Sequence, residues 1–269
     1  MPREYLSGSQ ITTYLNCSLH YYFRYIAERP PESFSAALAF GKAIHSALAS
    51  FHESRKEGKP LPIEEVQRLF RADWAAENSV PLTFSHSDTA ESLVNMGQAL
   101  LAEYVNVCDF EVVEAEHHFE VPLCDLDTGE LLTAKSLVGI FDLVTPHGIV
   151  ELKTTKSVYD PSLFARHLQL SAYAYAYHYM QGKMPTLALV HLLKLKKPRV
   201  EITTLKRERK QLLFFLRTAQ AVARGIEEEI FAPNPCWQCV GCEYGKACME
   251  WPEIPLSNHE TETVLSVHH

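Results

Sequence analysis

"GIFDLVTPHGIVELKTTK", residues 139–156, holds two apolar runs separated by Thr-Pro-His-Gly, the composition of a β-hairpin. Strands built only for stability favour Val or Ile, yet this hairpin carries Asp142, Glu151 and Lys153. With Pro146-His147 at the tip, Val144 faces Ile149 and, in the same register, Asp142 faces Glu151. Like charges directly across a sheet destabilise it, and two close carboxylates do not both ionise without a positive neighbour. Lys153, two residues beyond Glu151, falls on the same face, while Phe141, Leu143, Val150 and Leu152 turn the other way into a core. Two explanations fit. One is a surface ion-pair network in which Lys153 neutralises a carboxylate. The other is a divalent cation bridged by Asp142 and Glu151, with Lys153 beside it to orient a water and stabilise charge developing on a phosphate. Oxygen ligands favour Mg²⁺ or Mn²⁺ over zinc.

Working outward, "EVVEAEHHFEVPL" reads with period two as a strand, and Asp127-Thr128-Gly129 as a turn, so the hairpin closes a three-strand meander. After it, Pro161 is expected to open a helix to about Met180. Strands near 186–195 and 199–205 follow, then an amphipathic helix over roughly 207–230. Before the meander the chain is helical: 10–27, capped by Ser7 or Ser9; about 36–56, with Leu38, Ile44, Leu48 and Phe51 as its apolar stripe; then 62–77 and 88–107. No repeat, GxGxxG or P-loop interrupts this order. It predicts one α/β domain over 1–251, with a helical portion (10–107), a sheet-bearing core (111–230) and a small Cys-bearing C-terminal segment (233–251). Residues 252–269 read as a tail in which Val264, Leu265 and Val267 are able to dock.

At 269 residues and 46% apolar content the chain can bury a sizeable core, and it has no apolar run long enough to span a membrane. The opening "MPREYLSGSQ" lacks the layout of a secretion signal, so a cytoplasmic protein with no membrane partner is expected. A formal charge of −8 excludes a global positive field for nucleic acid. The densest basic stretch, 194–210, holds Lys194, Lys196, Lys197, Arg199, Lys206, Arg207, Arg209 and Lys210 against Glu201 and Glu208. It reads equally as a local polyanion site and as a solvated strand edge and helix start. Seven cysteines without an export signal argue against a disulfide framework. Four crowd into "CWQCVGCEYGKAC", as Cys236, Cys239, Cys242 and Cys248, and point to a metal or cluster site, whereas Cys108 and Cys124 read as small core fillers.

Asp142 followed across a hairpin by Glu151-Leu152-Lys153 resembles the D…(D/E)xK core of the PD-(D/E)XK nucleases, and three further motifs are similar to its RecB-like branch. In "GKAIHSAL", Gly41 stands one helical turn before His45, as in the branch's GxxxH motif, whose His is a metal ligand. A Gly there permits close approach of another backbone. In "QLSAYAYAY", Gln169 and Tyr173 share a helix face and match QxxxY, which implies that they line the active site and help hold a DNA strand. Tyr175 and Tyr177 read as packing. Cys239, Cys242 and Cys248 with the distant Cys17 are similar to the pattern that holds a [4Fe–4S] cluster in RecB-like enzymes, CRISPR-associated exonucleases among them. That implies a structural cluster fastening the C-terminus to the first helix. Two features depart from the pattern. Cys236 adds a local fourth thiol, so Cys236, Cys239, Cys242 and Cys248 can instead bind zinc, and Cys17 precedes Ser18 where the family commonly has Pro.

The resemblance spans Ser9 to Cys248 with the motifs in family order and no helicase motif. It implies a restriction-endonuclease-like fold, a mixed central sheet flanked by helices, and a metal-dependent deoxyribonuclease. His45, Asp142, Glu151 and the carbonyl of Leu152 would hold Mg²⁺ or Mn²⁺. Asp142, Glu151, Lys153, Gln169 and Tyr173 would form the catalytic site, and Lys194, Lys196, Lys197 and Arg199 would contact the DNA backbone. An exonuclease on single-stranded DNA or DNA ends is implied over a site-specific endonuclease, in repair, recombination, phage or CRISPR settings, with recombination or CRISPR proteins as partners. The rivals are a non-catalytic DNA-end-binding or scaffolding protein of the same fold, and a zinc-binding regulatory module resting on the C-terminal cysteines alone.

Overall fold

Alternation in the middle of the chain becomes three long strands, β4 (Glu114–Cys124), β5 (Leu131–Thr145) and β6 (Gly148–Thr155). The computed structural model describes residues 3–77, 81–85, 88–158, 164 and 166–251. Strands β7 (Thr186–Leu193) and β8 (Arg199–Lys206) extend the sheet, a short β1 (Tyr5–Ser7) joins it from the N-terminus, and β2 (Phe34–Ser35) pairs separately with β3 (Leu82–Thr83). The helices are α1 (Gly8–Asn16), α2 (Ser18–Tyr21), α3 (Ala36–Lys56), α4 (Ile63–Glu77), α5 (Ala90–Val107), α6 (Leu168–Gln181), α7 (Arg209–Glu227) and α8 (Gly245–Glu250).

The sheet runs β1-β5-β6-β7-β8, with β4 on the other edge of β5. Pairs β1–β5 and β6–β7 are parallel and the rest antiparallel, so the sheet is mixed. Helices cover both faces. One core gathers Leu6, Phe119, Phe141, Leu187 and Leu189 under α1, α6 and α7; the other gathers Leu143, Val150, Leu152, Val190 and Leu192 under α3, α4 and α5. This is the α/β arrangement the sequence predicts.

Strand β5 carries the feature that shapes the site. Strand β4 runs along one edge from Leu131 to Val144. The other edge is shared: β1 takes 136–138 and β6 takes 143–145, and the intervening residues 139–142 face an open notch. Asp142 stands at its inner end.

Several expectations need correction. The helix expected over 10–27 breaks at Cys17, whose backbone is extended (φ −163°), and continues as α2 and a π-helical turn, Tyr22–Ile26; its cap is Ser7, whose side chain accepts from the Gln10 amide. Helix α3 occupies the expected span, but Leu38 is exposed, because at 100° per residue it points about 120° away from Ile44. Ala39, Ala43 and Ala47 complete the buried face instead. Phe141 and Leu143 lie in different cores rather than sharing a face. Across from Asp142, Glu116 has φ +49°, and this break in the pleat of β4 accompanies the change of side on β5. Strand β7, ending at Leu193, and α7, spanning Arg209–Glu227, agree with their expected spans to within two or three residues, while Pro161 and residues 252–269 lie outside the described residues.

Gly139 lets the Phe119 ring lie flat over β5 beside the notch, since a Cβ there would meet the ring at 2.4 Å. Gly139→Val is therefore expected to cost about 1–3 kcal/mol through overpacking. A lower urea midpoint with an unchanged m-value would show it.

Candidate active site

The β5–β6 ladder pairs Thr145 with Gly148, Val144 with Ile149 and Leu143 with Val150, the register set by the Pro146-His147 turn, and then stops. Asp142 and Glu151 are thus not a closed ladder pair. Odd-numbered residues of β6 bond to β7, as when the Thr186 amide donates to the His147 carbonyl and the Lys194 amide to that of Thr155. The peptide groups of Leu152 therefore face β5, where no strand partner remains. Asp142 Oδ2 accepts from the Leu152 amide at 2.7 Å. The Leu152 carbonyl is left facing the notch.

Around this bond the side chains assemble from four elements. Helix α3 brings His45, with Nδ1 at 3.3 Å from Asp142 Oδ1. Strand β6 brings Glu151, 1% exposed, and Lys153, whose Nζ lies 2.5 Å from Glu151 Oε1. Helix α6 brings Gln169 and Tyr173: Lys153 Nζ donates to Gln169 Oε1 at 3.0 Å, and Gln169 Nε2 donates to the Tyr173 hydroxyl at 2.9 Å. Tyr173 stands edge-on to Phe119 and Phe141, which fixes the far end of the chain. The structure therefore brings together His45, Asp142, Glu151, Leu152, Lys153, Gln169 and Tyr173. Gly41 needs no close backbone approach; a Cβ there would find only Thr154 Oγ1, at an ordinary 3.4 Å.

Electrostatics in the notch are uneven. Burial, then repulsion from Asp142, push the Glu151 carboxyl up to about 7 despite Lys153. Burial also raises Asp142, but the bonds from His45 and the Leu152 amide, with the charges of His45 and Lys153, outweigh it and hold it below the ordinary range. His45 is held above its usual value: burial lowers it, and Asp142 and Glu151 more than compensate. Burial and the two carboxylates push the Tyr173 phenol well up.

Glu151 Oε2 is buried without a hydrogen-bond partner, a costly arrangement for a carboxylate. Together with Asp142 Oδ1, the Leu152 carbonyl and His45 Nδ1 it makes a hard oxygen-rich donor set with one imidazole, suited to Mg²⁺ or Mn²⁺. The 3.3 Å between His45 and Asp142 is close to the roughly 3 Å between neighbouring ligands of an octahedral ion. The full trio does not close within 4.8 Å of mutual separation, and Lys153 occupies Glu151 Oε1.

The sequence pattern of the PD-(D/E)XK nuclease superfamily matches residues 5–249. The chain belongs to that superfamily. No curated protein matches it in sequence. Among solved structures, a provisionally described exonuclease from Eubacterium rectale aligns over 92% of this chain and 88% of its own, with a TM-score of 0.57 at 15% identity. The structure of SSO0001 aligns over 89% and 92%, with a TM-score of 0.38 at 13% identity.

The basic stretch does not form one patch. Strands β7 and β8 are antiparallel, so residues 194–199 sit at one end of the sheet and 206–210 at the other. At the far end Arg207 is buried and donates to the His167 carbonyl, Arg209 pairs with Asp127, and Lys210 pairs with Glu208. At the near end Lys194 lies over the Phe40 ring and Arg199 pairs with Glu201, with Lys196 and Lys197 in the exposed turn between the strands. Sequence reasoning missed His167, which caps α6 by accepting from the Leu170 amide two residues from Gln169. It carries no signal of that role until the helix start is known.

The cysteine segment is stitched to the start of the chain. The Leu19 amide donates to the Ala232 carbonyl, Asn234 Nδ2 to the Asn16 carbonyl and the Glu32 amide to the Glu243 carbonyl. Cys17, Cys242 and Cys248 pack with Leu19, Phe23, Tyr244 and Ala247. Burial, then the neighbouring Cys17 and Cys239, raise the Cys248 thiol. Cys236 is exposed, and its amide donates to Cys239 Sγ at 3.4 Å. Cys108 is a buried filler, pushed up to about 12 by burial. No helix among the described residues is long and apolar enough to cross a membrane.

Glu151 holds its proton to about pH 7 in the fold against an ordinary 4.5. The folded state thus binds more protons in this window, and stability falls as pH rises through it. Metal-free protein should lose up to roughly 3 kcal/mol across it. Glu151→Gln should remove most of that slope, read as urea midpoints in EDTA. Asp142, held low, acts outside the window: its contribution is present above about 3.8 and lost on acidification.

Proposed function

We propose that the chain is a metal-dependent deoxyribonuclease of the RecB-like kind, an exonuclease acting in the cytoplasm on single-stranded DNA or DNA ends. The observation that carries the reading is the buried, unpartnered Glu151 Oε2 beside Asp142 and Lys153, a charge arrangement costly to the fold and suited to a cation and a phosphate. His45, Asp142, Glu151 and the Leu152 carbonyl are the residues that would hold Mg²⁺ or Mn²⁺. Such an ion, when bound, polarises a phosphoryl oxygen and lowers the pKa of a water. Lys153, held between Glu151 and Gln169, is placed to stabilise charge on the phosphate. Gln169, itself anchored on Tyr173, fixes the direction of that ammonium. Lys194, Lys196 and Lys197 supply backbone contacts at the end of β7.

The same reading assigns a [4Fe–4S] cluster to Cys17, Cys239, Cys242 and Cys248. What supports it is that Cys17, Cys242 and Cys248 pack together with Leu19, Phe23, Tyr244 and Ala247, with Cys239 close enough to raise the Cys248 thiol, whereas Cys236 is exposed. Anaerobically purified protein is expected to be brown and to contain iron and sulfide; Cys248→Ser should abolish the visible absorbance and Cys236→Ser should keep it. Zinc in place of iron, with a colourless protein, would reject the assignment.

The decisive assay digests end-labelled single- and double-stranded DNA with Mn²⁺, Mg²⁺ or EDTA. Metal-dependent shortening from one end is expected, reduced about 10²- to 10³-fold in Lys153→Ala. DNA binding that survives without any cutting would mean that the fold serves as an end-binding scaffold.

A further inference from the structure

The notch is one end of a larger groove, a cavity of about 730 Å³ that passes Asp142 and Gln169 and continues onto Ser7, Ser9 and Gln10 at the start of α1, reaching Arg3. The active site described above uses none of these four residues. Helix α1 is docked directly on the catalytic helix: a Cβ on Gly8 would stand 3.5 Å from Gln169 Cα.

The first turn of α1 is rich in donors facing this space. Ser7 Oγ accepts from the Gln10 amide at 3.2 Å, and the Ser7 and Ser9 hydroxyls lie 2.9 Å apart. The Ser9 amide, in the first turn, has no carbonyl within the helix to bind. Gln10 is 3% exposed, lines the groove, and its amide oxygen has no partner. An unpaired amide in the wall of a cavity is satisfied when a turn of the side-chain amide presents its oxygen to a donor from a bound molecule. Arg3 is preorganised at the far end by the Tyr5 hydroxyl, to which it donates at 2.9 Å, and by the Tyr25 ring, 5.3 Å away. Its carboxylate neighbour, Glu28, is exposed and 3.7 Å off. Glu120, the other acid lining the groove besides Asp142, is engaged by Ser136 at 2.6 Å.

We infer that the first turn of α1 is a second phosphate subsite. It takes the phosphate of the nucleotide adjoining the scissile one on the Ser9 amide and the Ser7 and Ser9 hydroxyls, while Gln10 bonds the same nucleotide's sugar or base and Arg3 meets the strand beyond. The inference rests on the nuclease reading for its ligand, a DNA strand, which would leave the catalytic notch along residues 139–142 of β5. A helix N-terminus, which favours anions, replaces the basic surface this acidic chain lacks.

Ser9→Asp separates binding from folding. A carboxylate in the first helical turn supports the helix through its dipole, so thermal stability should not fall, yet it repels a phosphate. The measurement is fluorescence anisotropy of a labelled short oligothymidylate with full-length protein in EDTA at low salt, where no cleavage is required. Wild type is expected to bind, Ser9→Asp at least about ten-fold more weakly, and Thr12→Asp, one turn further along the same helix, like wild type. Equal binding by wild type and Ser9→Asp, equal weakening by Thr12→Asp, or no binding by wild type would each overturn the subsite. Ser9-dependent binding in a protein that never cuts DNA under any metal would instead reject the nuclease reading and leave the subsite standing.

Discussion

One hydrogen bond, from the Leu152 amide to Asp142 Oδ2, stands where a sheet would ordinarily place a backbone carbonyl. Strand β5 gives its second edge to two partners, β1 and β6, that do not meet. The gap leaves a peptide amide unsatisfied in the middle of the sheet, and a buried amide must find an acceptor. Asp142 supplies it, and in doing so is locked with its second oxygen toward His45. Once the strand edge is open, helices α1, α3 and α6 can all reach the same few ångströms of space. The location of the site is a consequence of sheet topology before it is a matter of side-chain choice.

Polar groups in the notch form a chain rather than a set of pairs. Glu151, Lys153, Gln169 and Tyr173 are linked in sequence, and the last is wedged against Phe119 and Phe141. In surroundings of low polarity such a chain is stiff, because shifting any one member strands its neighbours without partners. The cost concentrates on Glu151, among the described residues the most deeply buried carboxylate and the one whose second oxygen is buried and unmatched. Stability is surrendered at the point where a charged ligand could restore it.

Much of this was legible in the sequence. The pairing of Val144 with Ile149 followed from a two-residue turn, and α3 from an apolar face that includes Ile44, Leu48 and Phe51. Gln169 and Tyr173 were placed together by helical spacing alone. What was hidden depended on contacts far along the chain or on single dihedral angles. Strand β1 is three residues long and pairs with residues 136–138, so no local pattern announces it. The separation of Phe141 from Leu143 accompanies a positive φ at Glu116, a residue type that gives no warning of it. The break at Cys17 turns a thiol toward a segment more than two hundred positions away, and the basic stretch looked continuous only because sequence ignores the reversal between β7 and β8.

The stitching of residues 232–246 to residues 16–32 has a consequence for how the molecule is made. Its closing bonds join positions 211 to 218 apart, such as Glu32 with Glu243, Ser18 with Ala232 and Asn16 with Asn234. Contacts of that span form late, since the intervening chain must already be ordered for the ends to meet cheaply. On a ribosome the first helices therefore emerge long before the segment that clasps them, with Leu19 and Phe23 waiting uncovered. The covering of Leu19 and Phe23 by Tyr244 and Ala247 thus lags behind translation of the helices that carry them, and the N-terminal layer of the molecule is completed only after residues 232–246 have been synthesised.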